Sequence, residues 1–238
     1  MSIKLYGAVS SWNTLRARHA LLEKGMTVEE ISLNLSAQEQ KVSISSHMKI
    51  SELATNCKQR PDYLALNPFG KVPVLTEGDF TLFESRAIAR YVASKYSSLG
   101  KPLIPDVENS RSIALFEEAA SIELTQFDHF AQPLVLKEII ARFQGKVVPE
   151  DEILPLLQTL NVNLDIIDRI LSKQSFMAGR QYSLVDGFYM PLLHMLLKVG
   201  YQGLILERKH LKHWWETVSE RPAWKEAVQP LNNLYDTF

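Results

Sequence analysis

Pro68-Phe69-Gly70-Lys71-Val72-Pro73-Val74-Leu75-Thr76-Glu77-Gly78-Asp79-Phe80-Thr81-Leu82-Phe83-Glu84-Ser85-Arg86-Ala87-Ile88-Ala89-Arg90-Tyr91 is the stretch on which the fold turns. The apolar run Val72 to Leu75 and the second run Phe80 to Phe83 flank a two-residue Gly78-Asp79 connection. This spacing predicts a β-hairpin, with Gly supplying the backbone angle that the turn demands. Pro73 has no N–H to give a sheet ladder, so it belongs at a strand start, an edge or a bulge. If its bond to Val72 is cis, which proline alone tolerates at low cost, the Val72 N–H and C=O turn outward. Glu84-Ser85 then open a helical pattern with apolar residues at Ile88, Tyr91 and Val92. Ser85 and its N–H thereby stand at a helix N-terminus, where anions are favoured. A strand end with exposed peptide groups beside such a helix start can hold a small extended peptide by its backbone and its carboxylate.

Around this stretch the pattern alternates between strand and helix. Ile3 to Tyr6 reads as a strand. A helix follows, with Thr14 as its expected cap, apolar positions at Ala17, Ala20, Leu21 and Leu22, and Gly25 closing it. Val28 to Leu33 reads as a second strand, parallel to the first through a right-handed crossover. Residues 1–97 therefore give β-α-β-(α)-β-β-α, a thioredoxin-like domain. Gly100 to Pro105 looks like a linker. Residues 106–238 read as an all-helical domain, with a long helical period over 107–144 kinked at Pro133. Further helices are expected over 150–172, from Ser183, over 207–219 and from Pro222. Ser183-Leu184-Val185-Asp186 fits a capping box.

Composition excludes several classes. At 46% apolar and 22% charged residues the chain is an ordinary globular one. A net charge of −1 argues against a nucleic-acid partner or an anionic membrane surface. No apolar run approaches the roughly 20 residues of a membrane span. Cys57 is the only cysteine, so no intrachain disulfide exists and a reducing compartment fits. The amino terminus lacks a basic region followed by an apolar one, so the cytosol is the expected location. His210 and His213 share a helix face without carboxylate or thiolate neighbours, which points away from metal binding.

The hairpin segment resembles the glutathione-binding half of glutathione transferases, and its wording, Asn67-Pro68-Phe69-Gly70-Lys71-Val72-Pro73 followed by Phe83-Glu84-Ser85-Arg86-Ala87-Ile88, is most similar to the phi class of plants and fungi. The resemblance implies that Val72 and Pro73 pair with the cysteinyl backbone of glutathione. It also implies that Glu84 and Ser85 hold the γ-glutamyl end and that Ser11 is the catalytic serine. Ser10 and Thr14 are the rival hydroxyls, and a plain helix cap is the competing role for Ser11. Relatives that form mixed disulfides carry cysteine there, so a serine implies conjugation or isomerisation. The family's cation for the glycyl carboxylate corresponds to Lys41 when aligned from the front and Lys58 when aligned from behind, with Lys71 as a further contact. Residues 36–60, rich in Ser and Lys, hold extra residues relative to the phi class, read either as a solvated surface insertion or as a wall over the substrate pocket. Ile122 to Asp128 resembles the helix facing the phi-class active site, which makes Phe127, His129 and Phe130, with Trp12, candidates for the acceptor pocket.

The implied chemistry passes a test of magnitude. A cysteine thiol has a pKa near 8.5. A hydroxyl donating to a charged sulfur contributes roughly 1.5–3 kcal/mol, and a helix N-terminus about 0.3–1 kcal/mol. At about 1.36 kcal/mol per unit, these lower the thiol pKa by about one to three units, enough to ionise a substantial fraction at neutral pH. Glutathione is then the co-substrate, an electrophilic apolar small molecule the acceptor, and no metal is needed. A homodimer follows from the family alone. Two alternatives remain. One is a glutathione-dependent isomerase, since Ser10-Ser11 followed by Arg16-Ala17-Arg18 is also similar to the zeta class. The other is a transferase-like fold used for regulation or assembly.

Overall fold

A computed structural model describes residues 2–33 and 61–235. The chain divides into two compact units, residues 1–96 with 227–238, and residues 97–226. The first unit runs β1 (Ile3–Gly7), α1 (Trp12–Glu23), β2 (Glu29–Ser32), α2 (Pro61–Leu66), β3 (Val74–Glu77), β4 (Phe80–Phe83) and α3 (Ser85–Lys95). Its sheet has the order β2-β1-β3-β4, with β1 and β2 parallel and β3 antiparallel to both β1 and β4. This is the thioredoxin-like arrangement that the βαβ and hairpin patterns predict. Strand β3 begins at Val74 and not at Val72, because Pro73 cannot donate to the ladder. Gly78 turns the hairpin with φ +64°.

Strand alternation sends neighbouring side chains to opposite faces. Leu5 and Leu75, directly paired, join Ala17, Leu21, Ile88 and Val92 in a core under α1 and α3. Tyr6 and Val74, the next pair, face Tyr63 and Leu66 of α2. Each fully buried Leu, Ile or Val contributes about 1.5–3 kcal/mol. The site-bearing ends of α1 and α3 are thus bolted to one face of one sheet.

The second unit contains α4 (Ser110–Ile122), a π-helical turn (Glu123–Asp128), α5 (His129–Phe143), α6 (Glu150–Leu171), α7 (Leu184–Lys198), α8 (Gly203–Leu206) and α9 (Lys209–Ser219). Helix α10 (Pro222–Tyr235) ends the described chain. Helix α7 is buried almost all round, as expected for a helix at the centre of a bundle. The capping box is present: Asp186 accepts from the Ser183 N–H at 2.8 Å while Ser183 Oγ accepts from the helix's first turn. The long helix expected over 107–144 departs from expectation in one respect. Its break lies at Glu123–Asp128, upstream of Pro133. Two hydroxyls pull on the preceding carbonyls there, Ser121 on Glu117 and Thr125 on Ser121, a pattern that bends helices. The Gln126 carbonyl in the turn is met by Asn163 Nδ2 of α6 at 2.8 Å. Among the described residues no helix is long and apolar enough to cross a membrane.

Candidate active site

Ser11 is the N-cap of α1, with Oγ accepting from the Thr14 N–H at 3.2 Å. Thr14, expected from the sequence as the cap, lies one turn inside the helix. Its hydroxyl is spent on the Ala8 N–H at 3.2 Å, and it is 1% exposed. Gly7 exists to admit it, since a Cβ at Gly7 would stand 2.2 Å from Thr14 Cγ2. Of the rival hydroxyls, Thr14 is therefore buried and committed, while Ser10 and Ser11 keep partial exposure. A serine cap uses an oxygen lone pair, which leaves its O–H proton free to donate elsewhere. Cap and donor are compatible roles for the same hydroxyl.

The Val72-Pro73 peptide bond is cis, and Pro73 itself is buried. The preceding carbonyl, Lys71 O, accepts from Tyr63 Oη at 2.8 Å and from Asn67 Nδ2 at 2.7 Å. Asn67 also accepts from the Phe69 N–H at 3.0 Å, so one buried amide both shapes the Asn67-Pro68-Phe69-Gly70 turn and clamps the chain entering Val72. The Lys71 side chain is exposed. Tyr63 and Asn67 were not anticipated from the sequence as supports. Their position around the quoted motif is the only local hint of that role.

Helix α3 starts at Ser85, with Glu84 as its cap residue at φ 72°, the one positive φ outside glycine among the described residues. The Glu84 side chain makes no capping bond and is exposed. The first bond of the helical ladder runs from the Ile88 N–H to Glu84 O at 2.9 Å, so the N–H groups of the first turn find no acceptor within the helix. Ser85 is 4% exposed and is tied to α1. Its Oγ accepts from Arg16 Nη1 at 3.0 Å and lies 3.5 Å from Asn13 Oδ1, which itself accepts from Arg16 Nη1. The starts of α1 and α3 are thereby drawn together through Asn13, two residues beyond Ser11. Sequence reasoning quoted Arg16 only within a class resemblance and missed Asn13, because the contact to Ser85 is long-range.

The remaining candidates fall differently. Lys41, Lys58 and Cys57 lie outside the described residues. Phe127 is fully buried, its ring 4.9 Å from Tyr189, and serves the core of the helical unit. Phe130 is partly exposed and packs edge-on against the exposed His129 at 4.9 Å. Trp12 is partly exposed, yet its Nε1 is buried without a hydrogen-bond partner. Among the described residues no cluster of three or more His, Cys, Asp or Glu is arranged to hold a metal ion.

Comparison with known proteins agrees with this geometry. Residues 1–94 match the family model "Glutathione S-transferase, N-terminal domain", and residues 130–222 match "Glutathione S-transferase, C-terminal domain". Glutathione S-transferase F12 of Arabidopsis thaliana is 34% identical over 229 residues, 96% of this chain and 98% of that protein. Glutathione S-transferase hmp2 of Hypomyces subiculosus is 34% identical over 232 residues, 96% of this chain and 98% of that protein. Among solved structures, glutathione transferase F7 from Populus trichocarpa superposes with a TM-score of 0.83 at 34% identity, covering 97% of this chain and 99% of that one. Glutathione S-transferase I from mais, in complex with an atrazine glutathione conjugate, superposes at 0.81 with 29% identity, covering 98% of this chain and 99% of that one. With both halves matched and the likeness running end to end, this chain belongs to the glutathione S-transferase family, beside relatives of the plant phi class.

Proposed function

We propose that the protein is a cytosolic enzyme that binds glutathione on its first unit and uses Ser11 to hold the bound sulfur as a thiolate. The observation that carries this reading is the meeting of two helix starts, α1 with its Ser11 cap and α3 with Ser85, linked by Asn13. Glu84 takes the ammonium of the γ-glutamyl end and Ser85 its carboxylate. The Val72 peptide takes the cysteinyl backbone, and Lys71 with Lys41 or Lys58 takes the glycyl carboxylate. The Ser11 hydroxyl donates to the sulfur while its lone pair continues to cap α1. The thiolate attacks an electrophilic carbon of an apolar small molecule, and the bond to a leaving group breaks or a proton is taken up at the neighbouring atom. No bond to the protein forms. Trp12 of the first unit is proposed to contact the acceptor, Phe130 of the helical unit is a separate candidate for the same role, and the active species is proposed to be a homodimer.

Calorimetric titration with glutathione tests the first step: saturable one-site binding supports the reading, and its absence removes the enzyme while leaving the fold. Product analysis with activated alkenes then separates two outcomes. A conjugating enzyme consumes glutathione, and an isomerase returns it.

A further inference from the structure

We infer that Arg16 is a positioning residue that commits the Ser85 hydroxyl to donating, and so selects a carboxylate at the start of α3. The inference deepens the proposed function and rests on that reading of the site. A serine hydroxyl is chemically ambivalent, able to donate one hydrogen bond and accept two. A guanidinium only donates. Arg16 Nη1 aims a proton at Ser85 Oγ from 3.0 Å, and Arg16 is 2% exposed, held by α1 on a buried face. Ser85 must then turn its own proton away from Arg16. The one acceptor it meets, Asn13 Oδ1, is 3.5 Å distant and already takes a proton from the same Arg16 nitrogen. That contact is long and shared, so surrendering it to an incoming anionic oxygen costs little. The hydroxyl is in effect cocked toward whatever occupies the helix start.

The consequence is directional. An acceptor-only group, a carboxylate, meets a donor at Ser85 together with the unsatisfied N–H groups of the first turn. An ammonium placed there would face the fixed positive charge of the Arg16 guanidinium, at 3.0 Å from a hydroxyl with one of its two lone pairs already engaged. The zwitterionic end of a γ-glutamyl peptide is therefore read in one orientation, carboxylate to Ser85 and ammonium to the exposed Glu84. Arg16 need not touch the ligand to impose this.

The test compares dissociation constants of glutathione and of two analogues, one lacking only the α-carboxylate (γ-aminobutyryl-Cys-Gly) and one lacking only the α-amino group (glutaryl-Cys-Gly). They are measured by calorimetry on the full chain and on Arg16→Met and Arg16→Lys, with circular dichroism to confirm folding. In the wild type, loss of the carboxylate should weaken binding at least tenfold. In a folded Arg16 variant glutathione should bind about tenfold more weakly, the carboxylate-free analogue should change less than threefold, and the ratio between them should collapse. Arg16→Lys, which keeps a charge but loses the fork geometry, should fall between. Equal weakening of all three ligands makes Arg16 a merely structural support and overturns the inference. If Arg16→Met does not fold, the ratio in Arg16→Lys decides alone. Should neither variant fold, Ser85→Ala in the wild-type background decides: a carboxylate penalty that persists without the hydroxyl overturns the inference. A wild type that binds none of the three ligands defeats the proposed function itself and is recognised as such.

Discussion

At the scale of single residues, the site places two demands on side chains that stability alone would not make. Ser11 answers the first, since its oxygen caps α1 while its proton remains available. Replacing Ser11 by Ala removes both. The lost hydroxyl donation should raise the pKa of bound glutathione thiol by about one to two units, and the lost cap should cost about 1 kcal/mol of stability. Thiolate absorbance followed against pH measures the first, and urea unfolding the second; an unchanged thiol pKa would remove Ser11 from the chemistry. Glu84 answers the second demand. It sits at φ 72° with an exposed carboxylate and no capping bond, a conformation that costs a residue with a Cβ about 1–3 kcal/mol. Glu84→Gly should therefore stabilise the fold by about 0.5–2 kcal/mol after the entropy of the added glycine is counted. The same change should weaken glutathione binding about 10- to 100-fold if it removes the charged contact proposed for Glu84. Opposite signs in the melting temperature and in the affinity are the expected signature. These residues also show what a sequence conceals. The Glu84-Ser85 pair is legible because it directly follows a strand, whereas Asn13 and Arg16 become site residues only once α1 is laid beside α3. The misplaced cap has a similar cause: Thr14 has the right chemistry, but the close approach of Gly7 commits its hydroxyl to Ala8.

At the scale of elements, the far end of α3 is held as firmly as its start. Glu77, the last residue of β3 and 8% exposed, accepts from Tyr91 Oη at 2.6 Å and Tyr96 Oη at 2.7 Å and pairs with Lys95 Nζ at 2.7 Å. The Lys95 hydrogen bond, followed by that from Tyr91, draws the Glu77 carboxyl down to about 2. Burial first, and then the bond to Glu77, pushes the Tyr96 phenol up to about 12. A carboxyl whose pKa is lower folded than unfolded contributes stability above its unfolded value and loses it as pH falls toward the folded one. Wild type should exceed Glu77→Gln in stability at neutral pH by on the order of 2 kcal/mol. The difference should fade between the ordinary carboxylate range, near pH 4.5, and about pH 2. Denaturant unfolding at a series of pH values reads this, and a gap that persists at pH 2 would show that the charge is not responsible. In the helical unit the corresponding anchor is Asp186. It is fully buried and accepts from the Met177 N–H, the Ser183 N–H, Ser183 Oγ and Trp214 Nε1. Burial pushes its carboxyl above the usual range while these donors pull it back. Asp186→Ala would leave several buried donors unmatched, and the expected cost is about 3 kcal/mol or more, measured by thermal or urea unfolding. The capping box that locates Asp186 was readable from Ser183 to Asp186. The bend of the long helix was not, because proline announces itself in a sequence, while a π-turn depends on hydroxyls pulling on carbonyls and on Asn163 reaching in from α6.

At the scale of the whole molecule, the chain divides into two compact units that carry different reporters. The strand and hairpin signals that made the thioredoxin-like unit legible are short-range and backbone-driven, as are the 3.6-residue periods of the helical unit. The acceptor aromatics were less legible, because a periodic aromatic reads alike whether it faces a core or a pocket, and Phe127 turned out to face a core. This division makes ligand linkage readable by unit. Trp214, Trp215 and Trp224 pack ring against ring within the unit of residues 97–226, and Trp12 lies in the other unit, so tryptophan fluorescence of a Trp12→Phe variant reports on the helical unit. Amide exchange along β3, the start of α1 and the start of α3 reports on the other. A ligand that binds only the folded state adds about 2.7 kcal/mol when present at a hundred times its Kd. Saturating glutathione should therefore slow exchange up to about 100-fold where opening is global, with the strongest protection at Val74–Glu77 and in the first turns after Ser11 and Glu84. The same experiment on Ser85→Ala, with each liganded sample compared with its own unliganded form, should lose most of that protection. Protection concentrated instead in residues 97–226 would mean that the tripeptide is held mainly by the helical unit, and the roles given to Val72, Glu84 and Ser85 would fall together.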